Sequence, residues 1–296
     1  MTLVVGVDVG GTTTRVVMFE HLADAWTEVG RWEGATTLDD AAVGVSAGLE
    51  RMIALARNDE IVACGIGVPE YVHAGALRSE LVIRLPESGT AEIERVLSAS
   101  GTSPFVLLES DVRCAATAEW SLLEAPAASM VYVSVGTGLS AALVLPGGIC
   151  WEGHTGSALA LGEWPSPAPP RNLERFASGT GLADRYAAVS GRYITGHEIV
   201  ASAGAGDSDA LRCLTEAGQA IGAAVRNLHA VLDPDAVVVG GGLGSAATPL
   251  WHALVHTAET PITGRAPIRV RRARLGDRSG ALGAAMLALT RACESS

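Results

Sequence analysis

Three times along the chain an apolar, β-rich run stops at glycine. Leu3–Val9 ends at Gly10-Gly11, Met130–Val135 at Gly136-Thr137-Gly138, and Ala236–Val239 at Gly240-Gly241-Gly242. β-Branched and aliphatic residues favour extended backbone, and glycine supplies the tight turn. After the first two turns strand-like residues resume, at Thr13–Phe19 and Leu139–Leu145, so each reads as strand–turn–strand. The third runs on into helix. Two halves that begin with strands, meet glycine turns and continue into helices predict an α/β protein of two similar lobes.

The rest of the chain fills in that frame. Thr27–Trp32 reads as a strand extending the first hairpin. Leu38–Ala56 has helical apolar spacing, with Asp39 and Asp40 placed for its first turn. Ile61–Val68 reads as a buried strand ending at Pro69, Ala91–Ala99 as helix, Phe105–Leu108 as strand and Asp111–Leu123 as helix. Trp164–Pro170 (WPSPAPP) is a stiff loop that can be neither helix nor central strand. Helices are expected at Leu173–Val189, Glu198–Ala203, Ala210–Leu232, Leu250–Ala258 and Ser279–Ala292, with a strand at Ile268–Val270. The lobe boundary is expected near 109–113: residues 1–110 plus 279–296 form a smaller lobe, and 111–278 a larger one.

Composition removes several function classes. All 21 basic residues are arginine, which excludes a lysine P-loop, a lysine Schiff base and a lysine general base. A formal charge of −11 argues against general nucleic-acid binding, although Arg265–Arg274 is locally basic. The five cysteines are scattered with no C-x-x-C, so neither a disulfide scaffold nor a clustered zinc site is expected. No run of 18 apolar residues exists, and Asp8 interrupts the N-terminal apolar run, so neither a membrane span nor a signal peptide is expected. A cytoplasmic protein is the natural expectation.

The chemistry-bearing candidates lie at the glycine turns. In Asp8-Val9-Gly10-Gly11-Thr12-Thr13-Thr14-Arg15, glycines let backbone approach a phosphate, hydroxyls add donors, and the aspartate suits hydrated Mg²⁺. The same residues also suit an ordinary hairpin. Gly136-Thr137-Gly138 and Gly240-Gly241-Gly242-Leu243-Gly244-Ser245 are individually weak signals. No acidic residue follows a later strand about twenty positions on from the third motif, as a dinucleotide-binding fingerprint demands. His252 and His256 lie four apart on a helix but lack a third metal ligand, so a solvated face is expected. Trp120, Trp151 and Trp164 suit either core or cleft wall. No Ser-His-Asp order has supporting turn motifs.

In this order, the three turns resemble the phosphate and adenosine motifs of the actin–hexokinase–Hsp70 superfold, whose lobes are ribonuclease H-like. Further segments narrow the resemblance to the ROK family of repressors and sugar kinases, over essentially the whole chain. Glu109-Ser110-Asp111-Val112-Arg113-Cys114-Ala115-Ala116 resembles the family's E-N-D-x-N-A-A-A segment. Arg171–Thr180 resembles its G-C-L-E-x-x-A-S-G-T segment. Asp233-Pro234-Asp235-Ala236 and Gly280–Ala285 also fit.

The resemblance implies a two-lobed, ATP- and Mg²⁺-dependent sugar kinase whose lobes close over a cleft, acting on the 6-hydroxyl of a hexose, and a homodimer. It implies Asp111 as the general base that takes the hydroxyl's proton; by position alone Asp111 reads rather as a helix N-cap. Asp8, Gly10, Gly11, Thr12, Thr13, Arg15, Gly136, Thr137, Gly138, Gly241, Gly242 and Leu243 would bind ATP, with Asp8 reaching Mg²⁺ through water. Ser110, Asp111, His154, Glu163 and Glu174 would contact sugar; His154 suits a plain turn equally well.

The chain also departs from the family pattern. Pro165–Asn172 replaces the family's cysteine loop, so no structural zinc is expected. Ser110 stands for an asparagine. In the ungapped register Ala160 replaces the sugar-binding glutamate and Glu163 the histidine of G-E-x-G-H; a three-residue insertion would instead keep Glu163 as the glutamate and place Ser166 at the histidine. Changed contacts suggest a changed sugar. One candidate is an amino sugar such as kanosamine, its ammonium paired with Glu163 and Glu174; others are an N-acylated hexosamine and glucose itself. The family's repressors carry a winged helix ahead of the first phosphate motif, which is not expected here because that motif begins at Asp8. A sugar-binding sensor without transfer is the reading from another class.

Overall fold

The computed structural model describes residues 2–295 apart from 24, 58, 100, 102, 124, 126, 127 and 170. It divides into two compact units. The first comprises Met1–Leu122, Glu152–Ala158 and Asp277–Ser296, and the second Leu123–Trp151 and Leu159–Gly276.

In the first unit, β1 (Thr2–Val9) and β2 (Thr13–Leu22) form the expected hairpin, extended by β3 (Ala25–Ala35). After helix α1 (Ala42–Ala56) come β4 (Ile61–Val68), the short pair β5 (Val72–His73) and β6 (Ala76–Leu77), helix α2 (Glu87–Ser98) and β7 (Phe105–Ser110). The main sheet has the order β3-β2-β1-β4-β7. The β1–β2 and β2–β3 pairs are antiparallel, β1–β4 and β4–β7 parallel. Val5, Val7, Val16, Leu49, Ile61, Cys64 and Ile93 share its core. Helix α3 (Asp111–Trp120) follows β7 directly.

The second unit repeats this plan. β8 (Met130–Val135), β9 (Leu139–Leu145) and β10 (Ile149–Cys150) form an antiparallel meander. A 3₁₀ turn at Leu161–Glu163 precedes α4 (Leu173–Ala177), α5 (Gly179–Ser190), α6 (Gly196–Gly204) and α7 (Ser208–Leu232). Then come β11 (Ala236–Gly240), α8 (Pro249–Ala258) and β12 (Val270–Arg272). The order β10-β9-β8-β11-β12 has the same sequence of two antiparallel and two parallel pairs. Tyr186, Leu214, Ile221, Val225 and Leu254 pack against its face. Helix α9 (Ser279–Ser295) returns to the first unit.

Five departures from the sequence-based expectations have physical causes. The division falls after Leu122 rather than at 110, because α3 packs along α9 so closely that a Cβ on Gly283 would overlap the Cys114 carbonyl. Residues 152–158 also join the first unit rather than the 111–278 lobe, held there by bonds described below. The expected helix 173–189 is two helices: the Ser178 hydroxyl accepts from Gly181 N (3.1 Å) and restarts the helix at Gly179. Helix α1 begins at Ala42, and Asp40, just before it, accepts from the Ala42 amide at 3.2 Å. The last strand lies at 270–272, where Val270 pairs with Val237.

The proline loop is tied by its own backbone. Ser166 N donates to Arg171 O (3.1 Å) and Leu173 N to Trp164 O (2.7 Å). Pro170 lies outside the described residues. No helix among the described residues is long and apolar enough to cross a membrane.

Candidate active site

The first phosphate motif is the β1–β2 turn. Gly10 N donates to Thr13 O (2.9 Å), and the neighbouring segment is bonded to it: Thr36 N to Thr12 O (3.1 Å) and Thr36 Oγ1 to Gly10 O (2.7 Å). Among the described residues the Gly11 and Thr12 amides have no internal acceptor. The turn is therefore rigid and presents unspent donors, as an anion site requires. Asp8 faces Arg15 across the hairpin register, with Oδ2 3.5 Å from Arg15 Nη1. Burial pushes the Asp8 carboxyl above its ordinary pKa, and Arg15 opposes this. Helix α9 approaches so closely that a Cβ on Gly280 would lie 2.6 Å from the Asp8 carboxyl carbon.

Asp111 stands two strands away, where β7 becomes α3. The N-cap of α3 is Ser110, whose side chain makes no capping bond; Asp111 is the first helical residue, and its Oδ1 accepts from Val112 N at 2.6 Å. The simple N-cap assignment for Asp111 is thus replaced by a carboxylate at the helix start. Its pKa is pushed up to about 7, first by burial and then by the negative charge of Asp8, with a further contribution from Glu70; the Val112 amide and Arg113 act in the other direction. A carboxyl group whose pKa is raised toward neutrality can exchange a proton near physiological pH.

Sequence reasoning gave no role to Arg113, which is 4% exposed. Its Nε donates to Glu109 Oε1 (2.7 Å), its Nη1 to Gly156 O (3.1 Å) and its Nη2 to Val72 O. Burial pushes the Glu109 carboxyl up, and Arg113 together with the Ser110 amide (2.7 Å) counters it. Glu152 Oε2 accepts from Ala74 N (3.1 Å) and lies 3.1 Å from His73 Nδ1. These bonds hold 152–158 to the β5–β6 pair and carry the exposed His154 with them.

In the second unit the other two glycine motifs come together. Gly136 N donates to Gly138 O (3.0 Å), and the start of α5 closes on that turn through Gly179 N to Gly136 O (2.8 Å) and Thr180 N to Thr137 O (3.2 Å). Val135 O accepts from Leu243 N (3.0 Å) and Gly244 N (3.1 Å), joining the third motif to the second. Gly241 has φ +80°, and a Cβ there would lie 2.3 Å from Val135 O, so the turn requires glycine. Leu243 is buried between Gly179 and Gly196. The ring of His197 flanks Gly242, a neighbour that no sequence pattern indicated.

Glu174 Oε2 accepts from Leu139 N at 2.9 Å. Glu163 is exposed, and Asn172 Nδ2 approaches it at 3.4 and 3.5 Å. The two carboxylates thus have different partners. His252 and His256 are exposed, on the solvated face anticipated for them. Trp164 lines a groove of about 610 Å³ between the proline loop and α7, which holds none of the other candidate site residues. Trp151 is exposed. Cys64, Cys114 and Cys213 are buried and Cys293 is exposed. Among the described residues no three His, Cys, Asp or Glu side chains are grouped to hold a metal.

Two α/β units built on one repeated sheet order define the class: an actin-like ATPase fold. Residues 4–291 match the sequence model of the ROK family, and the chain belongs to that family. The crystal structure of the ROK hexokinase from Thermus thermophilus superposes with a TM-score of 0.79 at 29% identity, covering 99% of this chain and 100% of that one. The glucokinase of Halalkalibacterium halodurans is 25% identical over 317 residues, 96% of this chain and 94% of the relative. The bifunctional enzyme NanE/NanK of Brucella melitensis is 34% identical over 139 residues, 46% of this chain; the match spans 26% of that longer relative.

Proposed function

We propose that the chain is an ATP-dependent kinase that transfers the γ-phosphoryl group to a hexose hydroxyl, with Asp111 as general base. The observation that carries this reading is the Asp111 carboxylate, held with a pKa of about 7 at the edge of the sheet that also bears Asp8 and the open phosphate turn. A sugar hydroxyl is a poor nucleophile; a carboxylate that is ionised in part at neutral pH takes its proton as the bond to phosphorus forms. Membership of a family whose hexokinase and glucokinase members align over nearly the full chain supports the same activity.

The phosphates of ATP would meet the Gly11 and Thr12 amides and the Thr12, Thr13 and Thr137 hydroxyls, with Arg15 as the cation of the first turn. Gly136, Gly138, Gly241, Gly242 and Leu243 shape the donor site of the second unit. Mg²⁺ favours oxygen ligands and keeps several waters. One carboxylate, Asp8, beside donor phosphates fits that preference through a water. When bound, the ion would offset phosphate charge in a chain with no lysine. Ser110, His154, Glu163 and Glu174 are the proposed sugar contacts, and transfer to the 6-hydroxyl follows the family resemblance.

A second reading of the acceptor rests on Glu163. Its exposed carboxylate has only long approaches from Asn172 among the described residues, which leaves it able to pair with the ammonium of an amino sugar. The test of the main reading is Asp111→Asn. ADP release with ATP, Mg²⁺ and the preferred sugar should fall by about 10²–10⁴-fold while nucleotide binding persists. Activity near that of the unmodified chain would remove Asp111 from its role.

A further inference from the structure

Beyond its small electrostatic push on Asp111, Glu70 has no part in the chemistry above, although its surroundings are unusual. It lies just past β4, after Pro69, and is 4% exposed. Its carboxylate accepts four hydrogen bonds from one short stretch. Ser79 Oγ (2.5 Å) and Leu81 N (2.8 Å) reach Oε2; Val82 N (2.5 Å) and Ile83 N (2.9 Å) reach Oε1. Three consecutive backbone amides on one carboxylate form an anion nest occupied by the protein's own side chain. The wrap is closed on one side by Tyr71 N to Ser79 Oγ (2.9 Å) and Arg78 N to Tyr71 O (2.8 Å). On the other side Arg84 N donates to Leu38 O (2.7 Å) and Ala41 N to Arg84 O (2.9 Å), anchoring the stretch beside α1.

The consequence lies at the phosphate turn. Val82, between two amides that Glu70 holds, places its Cγ1 3.5 Å from where a Cβ on Gly11 would stand. In the sheet, Asp8 pairs with Gly67 on β4 and Val68 with Ser110 on β7, so Glu70, Asp8 and Asp111 leave adjacent strands at one edge.

We propose that Glu70 is a positioning residue for phosphoryl transfer: its carboxylate, wrapped by residues 79–83, fixes the wall that borders the Gly10–Gly11 phosphate turn. The inference rests on the donor-site reading of that turn. A glutamine would offer an NH₂ where an oxygen now accepts two donors, so part of the nest would be lost. The charged groups that act on Asp111 are Asp8 on β1 and Arg113 on α3 as well as Glu70, and Arg15 on β2 acts on Asp8. A change in the acid limb of the pH profile of Glu70→Gln is therefore a secondary readout, expected toward lower pH.

The deciding experiment titrates Mg²⁺ with the non-hydrolysable ATP analogue AMPPNP into the full chain and its Glu70→Gln and Ser79→Ala variants, and measures KM for ATP and for sugar. Glu70→Gln is expected to weaken AMPPNP binding and raise the ATP KM at least tenfold while the sugar KM stays within twofold. Ser79→Ala, losing one of four bonds, is expected to raise the ATP KM two- to threefold. A purely structural role would lower thermal stability and active fraction with both KM values unchanged, and that result overturns the proposal. If Glu70→Gln does not fold, Ser79→Ala decides: an unchanged ATP KM in a folded variant overturns the proposal. If the unmodified chain binds AMPPNP but phosphorylates no sugar, the transfer reading fails and the binding comparison still tests Glu70. If it binds no AMPPNP, the donor-site reading and this inference fall together.

Discussion

The two units carry the same sheet but not the same chemistry. In each, an antiparallel meander is followed by two parallel strands added beside the first. Asp8, one residue before the end of β1, faces Arg15 on β2; Ser134, at the same place on β8, faces Ser140 on β9. The first turn is bordered by Asp8 and Asp111, which burial above all holds above their ordinary pKa values, with the charge of Asp277 adding to it at Asp8 and that of Asp8 at Asp111. The second is bordered mostly by backbone, since Gly136 O and Thr137 O accept from the start of α5 and Val135 O from the third glycine motif, with the Glu174 carboxylate beside it accepting from Leu139 N. A repeated fold therefore fixes where a turn sits, while the side chains at its edge set the charge it presents.

The largest expected effect comes from exchanging the residues that distinguish the two turns. Asp8→Asn should lower kcat/KM for ATP by about 10²-fold or more, whereas Ser134→Ala should change it less than threefold. Steady-state ADP release checks both, and equal effects would erase the contrast. Backbone geometry gives the next. Gly241→Ala forces a Cβ to 2.3 Å from Val135 O at φ +80° and should cost about 2–4 kcal/mol, while Gly136, with open space around it, should accept alanine at under about 0.5 kcal/mol. Urea midpoints measure the pair.

A smaller effect depends on pH. The Asp111 pKa is raised in the folded state, so the native protein holds a proton that the unfolded chain has released between the ordinary carboxylate range and about pH 7. Stability should therefore fall as pH rises through that window. Asp111→Asn removes this dependence and should be more stable than the unmodified chain by on the order of 2 kcal/mol at pH 8, with the advantage gone below about pH 4. Thermal unfolding at both pH values checks the sign. The smallest is local to the second unit: Asn172 caps α4 by accepting from Arg175 N at 2.8 Å, and Asn172→Ala should cost about 1 kcal/mol by denaturant unfolding.

The places of the turns are legible in the sequence; the contrast between them is not. The β1–β2 hairpin, β4, β8, β9 and the long α7 follow from local residue choice, and β-branched runs ending at glycine marked the turns. The break at Ser178 was not read from the sequence, because apolar spacing runs through it and a serine hydroxyl capping Gly181 outweighs that period. The two-residue strands β5 and β6 are too short for a pattern; Ala74 and Gly75, both at positive φ, make the turn between them. Asp111 was visible through its segment. Glu70 and Arg113 were not, because their roles come from partners in non-adjacent segments: Ser79–Ile83 for the former, Val72 and Gly156 for the latter. His197 likewise reaches Gly242 through tertiary packing alone.

The measurement that bears most directly on the proposed activity is ADP release from ATP and Mg²⁺ over glucose, mannose, N-acetylglucosamine, N-acetylmannosamine, glucosamine and kanosamine, run in parallel with Asp111→Asn. The account predicts efficient turnover of at least one of these sugars and its collapse in the variant. Turnover of an amino sugar with poor use of glucose would assign the acceptor to Glu163 and its neighbours. Silence on every sugar from a chain that still binds ATP would contradict the account and leave a sugar-binding protein without transfer.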